Sequence, residues 1–412
     1  MAPLDGIRIL DLTRLLPGGF CTQLMADFGA DVIKVEDTGA GDYIRLAPPY
    51  HETEGDEAES TKSGLYLSLN RSKRSIRLDL KSDAGQETFL RLVGGADVVI
   101  EGFRPGVAER LGIDYESLSS VNPGIVYCSI SGYGQTGPNV NRAGHDINYL
   151  AATGMLGLTG NADGPPVQPG GQIGDLGGGA SMAAFGVMTA LFEKQRTGEG
   201  QLVDISMTDG AMAWMAMDAG RFLADGQVPS RGTGVLNGGV ACYLTYEASD
   251  GWVACGALEP KFWRAFCEGV ERPDLVEVQF EAPGSEGWKK VAEVFKGRTK
   301  AEWKAFNDVA DCCIEPILDI DEALASPQMR ERGMVVEFDQ PGIGKVEQLG
   351  NPVKLSRTPA EPARPAPAIG EHTEAVLAEA GFSAGEIAEL LESGAAAGSG
   401  SGNAPAGDGF LA

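Results

Sequence analysis

A chain of 412 residues has room for about two to three domains of ordinary size. Hydrophobic content of 43% with 22% charged residues is that of a soluble globular protein, and a net charge of −25 argues against nucleic acid as a partner, since phosphates would be repelled over most of the surface. Seven scattered cysteines, with no C-x-x-C spacing, favour buried thiols in a reducing compartment over a disulfide framework or a zinc site.

Residues 7–13 read as a strand, L-P-G-G at 16–19 punctuates it, and 20–28 carry helical spacing that Gly29 ends. With a second strand at 31–36 this is a βαβ unit, which implies parallel strands and a right-handed crossover. The opening lacks a signal-peptide pattern, and no apolar run is long enough to span a bilayer. The expectation is a cytoplasmic protein with no membrane partner. There is neither a G-x-G-x-x-G fingerprint nor a Walker A sequence, which argues against dinucleotide and nucleoside triphosphate chemistry.

Residues 51–59 (H-E-T-E-G-D-E-A-E) are acidic and aperiodic, a solvated loop rather than a metal site. A basic stretch follows, L-N-R-S-K-R-S-I-R-L-D-L-K at 69–81, with Arg71, Lys73, Arg74, Arg77 and Lys81 inside it. Ile76, Leu78 and Leu80 alternate with Arg77, Asp79 and Lys81, so this is a strand with a basic approach. Such a cluster suits phosphate groups. A lysine- and arginine-rich edge that blocks aggregation explains it equally well.

Helical spacing at 85–92, a strand at 97–101, a turn at 103–106 opening a helix at 107–111, and a buried strand at 124–130 continue the alternation. The first half is therefore a doubly wound, Rossmann-like α/β layer, whose ligands sit beyond the carboxyl ends of the strands. The loop 131–138 (S-G-Y-G-Q-T-G-P) leaves such an end, and residues 142–179 follow it. That segment holds His145, one of three histidines, and Asp175, in a glycine-rich turn before an apolar helix pattern at 180–193. An imidazole and a carboxylate on irregular backbone form a plausible acid/base pair. Asp175 also reads as a helix N-cap, and His145 as a hydrogen-bonded structural residue.

A strand at 201–207 and a methionine-rich helix at 208–223 come next, the latter most simply core or subunit interface. Strands at 241–246 and 252–256 flank S-D-G at 249–251, a hairpin signal. Helices are expected at 260–270, 287–295, 300–310 and 321–332, and a β pair at 335–340 and 346–349. The organisation expected is a large α/β domain at 1–207 completed by 333–391, a linker helix at 208–226, and a smaller α+β domain at 227–332. Residues 392–412, rich in Gly, Ala and Ser, are expected to be disordered.

Several motifs in this order resemble the family III coenzyme A transferases, the group that includes α-methylacyl-CoA racemase. They are L-D-G-I-R-I-L-D-L-T, A-D-F-G-A-D-V-I-K-V-E, the basic strand, E-G-F-R-P-G-V-A-E-R-L-G, S-G-Y-G-Q-T-G-P, A-G-H-D-I-N-Y-L, I-G-D-L-G-G-G and G-A-L-E-P-K-F-W. The resemblance covers about residues 3–390. It implies an interlocked homodimer that binds acyl-CoA, with no cofactor beyond the thioester itself and no metal. Transferases of the family use the aspartate matching Asp175 as a nucleophile, while racemases pair it with a histidine as two opposed bases. Transferases commonly carry an aromatic residue where this chain has His145, so that residue implies a racemase. Glu259 matches an acidic partner of the histidine. By the same resemblance Arg74 and Leu78, Asp79, Leu80 and Lys81 would line the CoA site, with Arg104 near the phosphates. Gly144, Asp146, Ile147, Asn148 and Tyr149 would meet the pantetheine and thioester end. Asp37 stands where racemases often carry Arg, which weakens the phosphate contact implied there, and Gly171 where some have an amide. Residues 38–69 form a longer, transferase-like region.

Overall fold

A computed structural model of the chain describes residues 1–52 and 62–399, so most of the acidic stretch 51–59 and the last thirteen residues lie outside it. The chain forms two compact units. The first holds Met1–Leu150, Gln172–Trp214 and the chain from Gln328 onward; the second holds Ala151–Gly171 and Met215–Pro327.

Six strands form the parallel body of the first unit's main sheet: β1 (Arg8–Asp11), β2 (Asp31–Glu36), β3 (Arg74–Leu78), β4 (Val98–Glu101), β5 (Val126–Ser131) and β6 (Leu202–Ser206). All pair in parallel, in the order 3-2-1-4-5-6. Leu10 sits opposite Ile33 on one side and Val99 on the other. Both faces are covered: Ile9, Val32 and Val98 pack in one apolar core and Leu10, Ile33 and Val99 in the other. Helices Leu16–Ala26 and Met182–Thr197 close one face, bringing Ala183 and Val187 into one core with Ile9 and Val98. Asp83–Val93, Tyr115–Val121, Thr373–Glu379 and Ala384–Ser393 close the other, bringing Phe89, Leu118, Val376 and Leu390 into one core with Leu10, Ile33 and Val99. The order reverses between β1 and β4, and that switch point is where such a sheet opens a crevice at its carboxyl edge.

In the second unit β7 (Tyr243–Ala248), β8 (Gly251–Gly256) and β9 (Ile314–Pro316) form an antiparallel sheet, with the hairpin where S-D-G placed it. Helices Pro260–Gly269, Glu286–Lys296 and Lys300–Ala310 supply an aromatic core in which Phe266 and Phe295 stack at 5.2 Å. The β pair expected near 340 is the ribbon β10 (Val335–Gln340) and β11 (Gly344–Leu349), which belongs to the first unit.

Several expectations are corrected. The stretch 208–223 is two helices, Met207–Ala213 and Ala216–Asp225, broken at Met215 where the chain passes from one unit to the other. The stretch 321–332 is also two, Ile320–Ala325 and Pro327–Glu331, because Ser326 precedes a proline and is pushed to extended backbone at φ −62°, ψ 142°. Within the tail expected to be disordered, β12 (Ala396–Ala397) pairs antiparallel with β3, and Ala395 and Ala396 are buried. Contrary to the expectation that no apolar run could span a bilayer, the helix Ile173–Thr197 is long and apolar enough to do so, at mean hydropathy 1.2. Its small residues Ala180, Ala183 and Ala190 are buried against the sheet.

Candidate active site

Asp175 lies inside a π-helical turn, Ile173–Ser181, that runs directly into the helix Met182–Thr197. The flanking N-cap is Gln172, so Asp175 is not the N-cap expected of it; it is the third residue of the turn. Such wide turns are rare and concentrate at functional sites. The glycines make this one possible. A Cβ on Gly178 would stand 2.6 Å from the carbonyl oxygen of Met207, and one on Gly210 would stand 2.2 Å from that of Gly178. Backbone therefore meets backbone where the turn crosses the helix Met207–Ala213.

His145 closes the start of a separate helix, Asp146–Ala152. Its backbone N–H donates to Asn148 Oδ1 at 3.0 Å, and its carbonyl accepts the Asn148 N–H at 2.8 Å. The Tyr149 hydroxyl donates to the Gly144 carbonyl at 2.6 Å, so the residue before His145 is held as well. Gly144 has no Cβ to obstruct this; one would lie 2.7 Å from the Tyr149 ring. The imidazole itself is exposed, as is Ile147, and Tyr133 meets Tyr149 edge-on at 5.4 Å.

The fold thus brings His145 and Asp175 into electrostatic contact from positions thirty residues apart. Burial is the largest influence on Asp175 and pushes its carboxyl up to about 6. The neighbouring Asp146 carboxylate pushes the same way, and His145 opposes both. Asp146 Oδ1 accepts the Asp175 backbone N–H at 3.0 Å, which removes that N–H from the donors available to a developing oxyanion. Tyr149 is pushed up to about 12, by burial first and by Asp175 second, while Arg104 pulls it down. Arg104, exposed, is therefore within electrostatic reach of the Tyr149 phenol.

At the carboxyl edge of the sheet a cleft of about 760 Å³ opens across the switch point. Leu78, Asp79, Leu80 and Lys81 line it, together with Leu12, Arg14, Asp37, Phe103 and Arg110. Arg14 is spent on Asp37 at 2.7 Å, leaving exposed Lys81 and Arg110 as the cleft's other cations. Phe103 and Arg110 were not anticipated as site residues. The signal was present in E-G-F-R-P-G-V-A-E-R-L-G, where both follow the carboxyl end of β4.

The basic strand is a different thing from the open phosphate approach or protective edge its composition allows. Arg71 is buried against Asp27 at 2.7 Å and Lys73 against Asp11 at 3.2 Å. Arg74 is held between Asp31 at 2.6 Å and Glu379 at 2.8 Å, so it does not line the cleft. Arg77 donates to the backbone carbonyls of Asp37, Thr38 and Gly39, bracing the loop that forms one cleft wall. Of the five basic residues, Lys81 alone lines the cleft. Glu259 lies in the second unit, exposed at the start of the helix Pro260–Gly269. Among the described residues no group of three or more His, Cys, Asp or Glu side chains is arranged to hold a metal.

The model of CoA-transferase family III matches residues 4–373. The chain is 38% identical to an α-methylacyl-CoA racemase of Mus musculus, over 94% of this chain and 96% of that one. It is 37% identical to a succinyl-CoA:mesaconate CoA-transferase of Haloarcula marismortui, over 93% and 98%. A solved CAIB/BAIF family protein from Brucella suis superposes with a TM-score of 0.79 at 32% identity, over 92% of this chain and 99% of that one.

Proposed function

This chain belongs to CoA-transferase family III, and we propose that within it the protein is a racemase that inverts C2 of 2-methylacyl-CoA thioesters. The observation that carries this reading is the pairing of His145 with a carboxyl held near neutrality. A group titrating at about 6 both gives and takes a proton close to physiological pH. Inversion needs that twice over: one base removes the weakly acidic α-proton, an enolate forms, and an acid on the opposite face returns a proton. In one direction neutral His145 is the base and protonated Asp175 the acid. In the other, ionised Asp175 is the base and the imidazolium the acid. Backbone N–H groups of the glycine-rich turn other than that of Asp175 are the donors for the enolate oxygen.

The cleft at the carboxyl edge would take the nucleotide end of CoA, with Lys81 and Arg110 on its phosphates and the Leu78–Lys81 backbone beside it. Arg104, near Tyr149, would lie along the path toward Gly144–Tyr149 and the thioester. The reaction needs no cofactor besides the substrate thioester. The assembly proposed is an interlocked homodimer, supported by the exposed Phe185 (71%) and Phe192 (63%) on the helix Met182–Thr197. Seven free cysteines, six of them buried, support a reducing, cytoplasmic setting.

The test is deuterium uptake at C2 of 2-methylacyl-CoA in heavy water, with one purified protein and no acceptor acid. Exchange is expected, and His145→Ala and Asp175→Ala should each lose at least about 10²-fold. Exchange at the parental rate in His145→Ala would overturn the two-base assignment. The transferase reading stays in view because the relative at 37% identity bears that name. In that reaction Asp175 is the nucleophile, turnover requires an acceptor acid, and hydroxylamine traps an adduct on Asp175.

A further inference from the structure

We propose that Asp146 is a positioning residue whose carboxylate, bound to the backbone amide of Asp175, braces the π-helical turn against His145 instead of contacting substrate. This rests on Asp175 being the reacting carboxyl, and it reassigns a side chain expected to meet the thioester.

The geometry is that of a short brace. Asp146 is covalently next to His145, and its Oδ1 accepts the Asp175 N–H at 3.0 Å across 29 residues of sequence. One side chain therefore joins the two elements that carry the acid/base pair. Gly174 permits the approach, since a Cβ there would stand 3.0 Å from Asp146 Oδ1. The His145 end is already fixed by Asn148 and by Tyr149 through Gly144. The Asp175 end sits on a turn that Gly178 seats against Gly210 further along, and the Asp146 bond adds a restraint at Asp175 itself. A displacement of about 1 Å in a reacting group costs on the order of 10²-fold in rate, which is the scale of benefit such a brace offers.

The brace has an electrostatic side. Its negative charge works with burial to keep Asp175 protonated, while His145 works against both. Tyr149, on the Asp146–Ala152 helix, is neutral through this range. Of the elements packed against the turn, Met207–Ala213 carries Asp209, β6 Asp204, Leu16–Ala26 the thiol of Cys21, β5 Tyr127 and Cys128, and Met182–Thr197 Glu193, Lys194 and Arg196. None of these figures among the charges acting on Asp175.

Asp146→Asn keeps a side-chain oxygen to accept the amide and removes the charge; Asp146→Ala removes both. The full chain is labelled with carbon-13 at its aspartate carboxyls, and the Asp175 resonance is identified by its loss in Asp175→Asn. Its titration is then followed in the parent and both variants without substrate. In Asp146→Asn the midpoint should fall toward the ordinary carboxylate range, and the acidic limb of the kcat profile should move with it. KM should stay within about twofold. In Asp146→Ala kcat should fall about 10²-fold while KM changes little. A parental midpoint in Asp146→Asn, or parental kcat in Asp146→Ala, overturns the proposal. So does a rise in KM alone, the mark of a substrate contact. The titration needs no turnover, and the kinetic arm can be read in racemisation or in CoA transfer, so a failed racemase reading is distinguishable from a failed brace.

Discussion

At the scale of single residues, Asp175 is held where its ionised form is disfavoured. In the unfolded chain it sheds its proton near its ordinary 3.8, and in the fold near 6. Between those values the folded state keeps a proton that the unfolded state has lost. The stability associated with the protonated carboxyl is complete below the lower value, falls as pH rises, and is gone above the higher. Asp175→Asn removes this liability. It should raise stability at pH 7 by on the order of 1–2 kcal/mol, after discounting for partial exposure, while abolishing turnover. Near pH 4 the two proteins should unfold alike. Thermal unfolding at the two pH values checks this, and an equal gain at both would show that the carboxyl is not the cause. A residue that weakens the fold in one of the two protonation states its chemistry uses is serving function.

At the scale of elements, the π-helical turn exists because two glycines let backbones meet. Gly210→Ala would place a Cβ 2.2 Å from the Gly178 carbonyl oxygen, with backbone on both sides and no flexible side chain to yield. The turn or the helix Met207–Ala213 must then shift. The expected cost is about 1–3 kcal/mol in denaturant unfolding. A loss of turnover out of proportion to the instability should accompany it, because Asp175 moves with the turn. Normal kcat in a destabilised Gly210→Ala would detach the turn from the chemistry. The basic strand is the counterpart on the other side of β1. Its cations neutralise Asp11, Asp27 and Asp31 inside the fold, an arrangement in which removing either partner strands a charge. Composition announced this cluster, but its destination was internal.

At the scale of the whole molecule, the helix Met182–Thr197 has two apolar sides. One covers the sheet through Ala183, Val187 and Leu191, and the other presents Phe185, Met188 and Phe192 to solvent. A second copy of the chain is the proposed cover for that outer side. The parent should elute at twice the chain mass in light-scattering chromatography, and Phe185→Glu should shift it toward the chain mass with loss of turnover. A monomeric, active parent would remove the dimer from the proposal.

Much of the fold was legible because it follows from local rules. Alternating apolar runs and helical spacing, punctuated by Gly29 and the loop 131–138, produce a parallel sheet with helices on both faces, and right-handed crossovers leave little choice of topology. The motifs around His145 and Asp175 were equally legible, since both stand on glycine-rich backbone beyond a strand's carboxyl end. What stayed hidden were relations between distant segments. Whether Arg74 faces a ligand or Asp31 and Glu379 depends on a helix 305 residues away. Whether Asp175 caps a helix or sits inside a wider turn depends on Gly210, and its ionisation depends on burial first and on Asp146 second. Periodicity reports which way a side chain points from its own element; only tertiary packing determines which charge it meets there and how much water is left around it.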